Sequence, residues 1–451
     1  MTDIINALAG IAAEDPLDLL RDHRAQAKEN AQLSFEALLE PVDPGSISYR
    51  DRYAVAAFTA GLLGSEPAEE FYRDLLRDED ESASLGVAQL LDEAGFASGP
   101  YGIHESAALA GENVSGPWFR VDEKTAGVLS ERAAAGLEFA HLLVLHPRDA
   151  RPVHLARLLA AGWDEDGIVT LAQLVSFLNF QIRISSGLAA LVEVPVAVSA
   201  AEGSAAPTEA GTGVSTRSGA ASAGRDDLTG GAEDARDVAA DARALAEAGD
   251  RISSYPDLHR PPLYQQAGLG WVPWIAPVAE ADLTDVHREA LVEAGRAKNA
   301  YFRLLVRDPD ALRARTLTDF DIFFNTTDGL GRAEREIAAT AASRLNGCLF
   351  CASVHSDRAA VESGRRDTVQ RLLDDGVDAD LGDPVWNAVV AASVALTRTP
   401  QTFGPEHVSQ LRDVGLDDGD IIDVLNCATF FNWANRLMLT LGEPEVIAPG
   451  R

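Results

Sequence analysis

The sequence predicts an all-α protein made of two tandem helical domains joined by a disordered linker. Composition is the first reason: 46% of residues are apolar but only 6% are aromatic, and an apolar set rich in Ala, Leu and Val favours helices over β-sandwiches. Length is the second: 451 residues exceed one ordinary core and suit two domains of roughly 150 to 200 residues each. An internal repeat is the third. Together they divide the chain into a first domain over 1–198, a linker over 199–232 and a second domain over 233–451.

The linker follows from what it lacks. Residues 199–227, SAAEGSAAPTEAGTGVSTRSGAASAGRDD, hold no aromatic residue and a single Val, too little apolar surface to offset the entropy of ordering the chain. Residues 233–248 read as a short Ala-rich helix of little consequence, and the second domain becomes clearly structured around Tyr264, Gln265 and Gln266.

The repeat aligns His154 through Gly162 with His407 through Gly415 without a gap. The same register continues through Asp164/Asp417, Ile168/Ile421, Phe177/Phe430, Asn179/Asn432 and Arg183/Arg436. Within the second copy Ile421, Val424, Leu425, Ala428 and Phe431 recur at three and four, the pattern of a buried amphipathic helix. Asn432 and Arg436 lie one turn apart on it. This pair, like Asn179 with Arg183, is expected to close a helix–helix or subunit contact through a hydrogen bond and an ion pair. His154 and His407 are expected to complete helix starts, and Cys427, inside an apolar stripe, to be a core thiol.

A formal charge of -32 argues against nucleic acid, which needs clustered Lys and Arg to release counterions from phosphates. The opening residues lack a basic n-region, and no segment approaches the roughly 18 uncharged apolar residues of a membrane helix. The expected location is the cytoplasm, with no membrane partner. Three cysteines cannot build a disulfide framework, and two stand together as Cys348-Leu349-Phe350-Cys351, a spacing that in a reducing compartment points to redox chemistry or metal.

Residues 333–360, AEREIAATAASRLNGCLFCASVHSDRAA, read as a helix to about Leu345, a break at Asn346-Gly347, and a second helix beginning near Cys348. The cysteines then sit at a helix N-terminus, where unsatisfied N–H groups and the dipole draw a thiol pKa from about 8.5 toward 7 or below. His355 follows Cys351 by one turn, so imidazole and sulfur share a face and can exchange a proton. Peroxide reduction requires a thiolate to attack oxygen, a proton for the departing oxygen, and a second thiol to resolve the sulfenic acid. Cys348, Cys351 and His355 supply all three, and Glu336 on the preceding helix is placed to orient the imidazole.

Glu336-x11-Cys348-x-x-Cys351-x-x-x-His355 resembles the alkylhydroperoxidase D motif of the carboxymuconolactone decarboxylase-like family. The text at 268–284, 313–323 and around FFNWANRLMLTLGEP is similar to peroxidase-related alkylhydroperoxidase-domain proteins, so that the likeness covers roughly residues 260–446. The resemblance implies an all-helical bundle that oligomerises with copies of itself. It implies Cys351 as the peroxide-reactive thiol, Cys348 as its resolving partner, Glu336 and His355 as the proton relay, a hydroperoxide substrate and a dithiol or thioredoxin/lipoyl-type reductant. It calls for no cofactor and no metal. Phe350 departs from the family, which often carries His or Tyr before the second cysteine. In the first domain the motif region falls at 50–72, where Tyr53 replaces the glutamate, Ser65 and Ala68 the cysteines, and Tyr72 the histidine. That domain is expected to keep the fold without the chemistry.

Other readings remain open at this stage. The cysteines are also compatible with a structural role at a helix start. Zinc finds three ligands in Cys348, Cys351 and His355 but no second motif to close a tetrahedral site. A thioredoxin-type reductase lacks a preceding βαβ pattern. His104, His141 and His146 offer a separate, decarboxylase-like or lactone-binding site in the first domain, without a partner motif. Trp271, Trp274, Trp386 and Trp433 read as core or interface aromatics, some of them lining a peroxide pocket. A non-enzymatic assembly or binding protein with residual cysteines is the alternative from a different class.

Overall fold

The computed structural model describes residues 3–94, 98–194 and 235–447; the segment read as a linker lies outside the described residues. The protein is all-α, with a single two-stranded sheet among the described residues. The main helices of the first half are α1 (Ala25–Leu39), α2 (Tyr49–Leu63), α3 (Glu66–Glu79), α4 (Glu131–Leu145), α5 (Pro152–Ala160) and α6 (Glu165–Glu193). After α7 (Ala235–Ala248), the same order returns in α8 (Pro309–Phe324), α9 (Arg332–Asn346), α10 (Leu349–Ser363), α11 (Pro384–Thr397), α12 (Pro405–Asp413) and α13 (Asp418–Thr440). The sheet pairs β1 (Gly270–Pro273) with β2 (Gly442–Glu445), antiparallel, Trp271 opposite Pro444.

Local signals in the two halves match. Helices α2 and α9 both end on a left-handed glycine, Gly64 and Gly347. Near their starts, Arg52 and Arg335 each turn three guanidinium bonds onto backbone carbonyls: Ile47, Leu38 and Pro44 in one case, Leu330, Ile322 and Asn325 in the other. Helices α5 and α12 begin with the backbone N–H of Arg151 and Gly404 donating to Nδ1 of His154 and His407, at 3.0 and 3.3 Å. These are the helix-start contacts expected of the two histidines, since the ring nitrogen satisfies a donor left over at the helix end.

Like helices pack on like. Helix α1 lies against α8, and α6 against α13, so one apolar core runs through both halves. Phe177 and Phe180 meet Phe430 and Trp433 at the α6/α13 contact, with Phe177 edge-on to Trp433 at 5.1 Å. Trp433 is fully buried and its indole N–H reaches Gln173 Oε1 at 3.0 Å, as a buried indole requires. Helix α6 is long and apolar enough to cross a membrane by length and composition, a point the residue count missed, yet 94% of its most apolar window is buried inside the protein.

The arginine pairs correct one expectation. Arg183 donates to the Leu396 carbonyl at 2.7 Å and to Thr399 Oγ1 at 2.7 Å. Arg436 donates to Asn432 Oδ1 at 2.9 Å and to the Val144 carbonyl at 3.2 Å. Each arginine thus crosses from the long helix of one half to the C-terminal end of a helix in the other half, Arg183 to α11 and Arg436 to α4. The contact is helix–helix, as expected, but the acceptors are carbonyls and amide or hydroxyl oxygens, and no ion pair forms among the described residues. Cut ends of helices leave carbonyls without partners, and a guanidinium with five donors is well shaped to collect them.

Helix α7 is also more than an appendage. It packs along α5 and ties to it through Arg157 Nε and Asp241 Oδ1 at 2.5 Å.

Candidate active site

The turn between α9 and α10 sets the site. Gly347 has φ 76°, and a Cβ there would lie 2.0 Å from Arg148 Cδ, so both the backbone conformation and the space call for glycine. The Cys348 N–H returns to the Ser343 carbonyl at 2.9 Å and closes α9. Cys348 then caps α10, its Sγ accepting from the Cys351 N–H at 3.4 Å. Helix, glycine break and helix thus fall where the sequence places them.

Glu336, from the first turns of α9, is fully buried. One carboxylate oxygen accepts from Arg332 Nε at 2.7 Å, and the other lies 2.6 Å from His355 Nδ1. The imidazole is fixed further by the ring of Phe431, edge-on at 4.2 Å. With Nδ1 committed to the carboxylate, Nε2 is the nitrogen left to exchange a proton with a substrate. Burial opposes the charged form of His355, but the charge and hydrogen bond of Glu336 outweigh it and raise its pKa. Glu336 is held below the usual carboxylate range by the same partner and Arg332, against its burial.

The two thiols are driven apart. Burial pushes Cys348 well up, and the neighbouring Cys351 sulfur adds to this. Burial also opposes the Cys351 thiolate, yet the hydrogen bond with Cys348, the charge of His355 and the amide of Asn435 bring its pKa down. The helix start therefore does not favour both thiolates, as the sequence reading implied; it favours Cys351, the one whose partners overcome desolvation.

Sequence reasoning did not single out the polar floor beneath the pair. Asn346 Nδ2 donates to Asn432 Oδ1 at 3.2 Å and to Asn435 Oδ1 at 3.0 Å, and Asn435 Nδ2 donates to Ser343 Oγ at 3.0 Å. The available signal was a run of amides, Asn432 and Asn435, in an otherwise apolar helix, since a buried polar group is kept only where partners wait for it. Arg315 and Asp319 of α8 were also missed.

Cys351 and His355 open onto a cavity of about 800 Å³ whose walls include Tyr301, Phe323, Phe430 and Met438. Cys348 borders a different cavity, of about 320 Å³, to which the first half contributes His104, Arg148 and Arg151. Phe350 and Met438 line both. Trp271 faces the larger space and Trp274 the smaller, whereas Trp386 and Trp433 are core. Cys427 is fully buried, in the core. Among the described residues no group of three or more His, Cys, Asp or Glu is arranged to hold a metal ion.

The corresponding positions of the first half are occupied differently. Ser65 caps α3 without a side-chain bond, Ala68 and Tyr72 are buried, and the Tyr72 hydroxyl donates to Gln181. Tyr53 is buried and its phenol is pushed up to about 12. Of the three histidines, His141 and His146 stack on each other at 5.6 Å, His141 also stacking on Phe119 and His146 bridging Asp149 and the Pro117 carbonyl, whereas His104 faces Arg148.

No curated protein and no solved structure matches the chain. Residues 309–395 match the model of the Carboxymuconolactone decarboxylase family, a span that begins with α8 and holds Glu336, both cysteines and His355. The chain therefore carries a carboxymuconolactone decarboxylase-like domain.

Proposed function

We propose that this protein is a thiol-dependent peroxidase that reduces hydroperoxides through Cys351 and Cys348. The observation that carries the reading is the buried Glu336 bonded to His355 at 2.6 Å, beside the one thiol of the pair whose pKa is lowered, at the wall of a cavity large enough for an organic substrate.

The Cys351 thiolate attacks the terminal oxygen of a hydroperoxide. The O–O bond breaks, the departing alkoxide takes a proton from His355 and leaves as alcohol, and Cys351 becomes a sulfenic acid. Glu336 steadies the imidazolium before the transfer and orients the ring throughout. The Cys348 sulfur then attacks the Cys351 sulfur and the hydroxyl leaves as water, giving a disulfide; the two thiol protons and two electrons return from an external dithiol. The high pKa of Cys348 keeps it a thiol while Cys351 reacts, and its proton passes through the now neutral His355 to the departing hydroxyl when it attacks in turn. Its position at a separate cavity supports a reductant that approaches from the other side of the turn, a small dithiol, a lipoyl arm or a thioredoxin-type protein.

The first half, lacking the cysteines, carboxylate and histidine, is in this reading a degenerate copy that takes the place of a partner subunit against α8 and α13. Self-association of the whole chain, and work in the cytoplasm, complete the proposal; sedimentation giving a compact monomer would remove the oligomer.

Consumption of cumene hydroperoxide with dihydrolipoamide as reductant tests the reaction. Turnover lost in Cys351→Ser and reduced to a single cycle in Cys348→Ser supports it. A reduced wild type that consumes no hydroperoxide overturns it and favours a binding role or decarboxylase-like chemistry independent of the thiols.

A further inference from the structure

Apart from Arg315, the buried arginines among the described residues each reach oxygen acceptors, although Nε of Arg183 and of Arg436 has none. Arg24 is held by Asp423, Arg335 and Arg52 by carbonyls, Arg344 by Glu112, and Arg183 and Arg436 by carbonyl and side-chain oxygens. Arg315 is 6% exposed and has, among the described residues, no hydrogen bond and no ion pair; its Nε is buried without a partner. Its guanidinium carbon lies over three rings, 5.0 Å from Phe430, 5.7 Å from Trp433 and 5.9 Å from Tyr301. Cation–π contact recovers part of the lost hydration but supplies no acceptor for the N–H groups. A buried cation without hydrogen-bond acceptors is costly, and this one faces the cavity that exposes Cys351 and His355.

An acceptor that completes Arg315 must come from the cavity, and a planar carboxylate matches the guanidinium fork in two parallel bonds. Much of the remaining wall is apolar, with Trp271, Phe323, Phe431 and Met438 presenting rings and a thioether to whatever carries that carboxylate, while Asp257, His259, Asn299 and Glu445 add polar groups to the lining. About 800 Å³ is far more room than hydrogen peroxide needs and falls among the volumes of sites for drug-sized molecules.

We propose that the Cys351 cavity selects amphipathic carboxylic acids bearing a hydroperoxide, with Arg315 taking the carboxylate and the aromatic wall taking the hydrocarbon body. The proposal rests on the peroxidase reading for its hydroperoxide and on Arg315 for its acid.

Asp319, one turn further along α8, shares the cavity and makes no ion pair with Arg315 among the described residues. Burial raises its carboxyl, against the pull of Arg315, His355 and Arg296, so it repels an entering anion less than an ordinary surface aspartate does. Arg332, the other cation at the wall, is engaged by Glu336.

Calorimetric titration of the reduced protein with decanoate, 1-decanol and decylamine tests recognition without any turnover. Decanoate binding about tenfold or more tighter than decanol is expected from charged hydrogen bonds, and Arg315→Met should erase that ratio while Arg315→Lys keeps part of it. Equal binding of acid and alcohol overturns the proposal without use of any variant, and preference for the amine overturns it in favour of Asp319. Kinetics separate it from the reading it rests on. Turnover of both cumene hydroperoxide and a fatty-acid hydroperoxide with equal KM removes the acid selectivity alone, whereas no turnover of either removes the peroxidase.

Discussion

His355 and Glu336, 19 residues apart in the chain, meet at 2.6 Å with the carboxylate wholly buried. A buried carboxylate of this kind does two things to an imidazole: it fixes which nitrogen is free, and it stabilises the protonated ring. His355 consequently stays cationic to a higher pH than an ordinary histidine, and that charge is one of the influences that lower Cys351.

Glu336→Gln should therefore raise the pKa of Cys351 indirectly. The amide still accepts a hydrogen bond but no longer favours the imidazolium, so His355 loses its proton at lower pH and the thiolate loses a neighbouring cation. A shift of about one unit is the ordinary effect of such a charge, so iodoacetamide labelling of Cys351 at neutral pH should slow by about tenfold. The check is the pH–rate profile: its midpoint should move up in the variant, and an unmoved midpoint would separate Glu336 from the thiol.

The second cysteine gives a sharper outcome. With Cys348 present, one equivalent of hydroperoxide should leave the protein without free thiols at 348 and 351 and without a trappable sulfenic acid. In Cys348→Ser the sulfenic acid at Cys351 has no neighbour to condense with and should be captured by dimedone, seen by mass spectrometry of the peptide. Dimedone labelling equal in both proteins would mean that Cys348 does not resolve Cys351.

Much of this site was legible because its elements are local. Helix, Asn346-Gly347 break and Cys348 cap are set by glycine and by helix-end chemistry within a few residues, and the i, i+4 spacing puts Cys351 and His355 on one face without reference to the rest of the chain. The all-α class followed in the same way from composition and period. What the sequence hid is contributed across distance: Arg315 and Asp319 reach the cavity from α8, Asn435 from α13, and the cavity at Cys348 borrows Arg148 from the other half. Helix-end carbonyls as the acceptors of Arg183 and Arg436 were equally unreadable, because an arginine in an apolar stripe says that a partner exists but not which one.

Asp423 links the start of the chain to its last helix. Its carboxylate accepts from Arg24 at 2.8 and 2.7 Å, from the Leu330 N–H at 3.0 Å and meets His23 Nε2 at 3.1 Å, while Arg24 and Asp423 are each only 1% exposed. Removing one member leaves the other charge buried, so Asp423→Ala should destabilise by about 3 to 5 kcal/mol in urea unfolding. Against burial, its partners hold Asp423 below the usual carboxylate range, so its contribution is present above the unfolded pKa and lost as pH falls through the folded one. His23 is raised, again against its burial, so its share is complete below the ordinary imidazole value and lost as pH rises through the folded one. The difference between wild type and variant should accordingly be largest between about pH 4 and 6.5. A difference that stays flat down to pH 2 would show that the ion pair is not its source.

Trp433 offers the test of whether the two halves behave as one folding unit. It is fully buried at the α6/α13 contact, packs on Phe177 and Phe180 of the first half, and satisfies Gln173 through its indole N–H. Trp433→Ala removes the largest side chain at that contact and orphans the Gln173 carbonyl, so a loss of about 3 to 5 kcal/mol is expected from cavity formation. Because the apolar core is continuous from α6 to α13, the loss should not be confined to the second half. Urea unfolding followed by circular dichroism and by hydrogen exchange in α2 and α9 should give a single transition that moves down as a whole. If instead α9 loses protection while α2 keeps that of the wild type, the halves unfold independently and the shared core does not couple them.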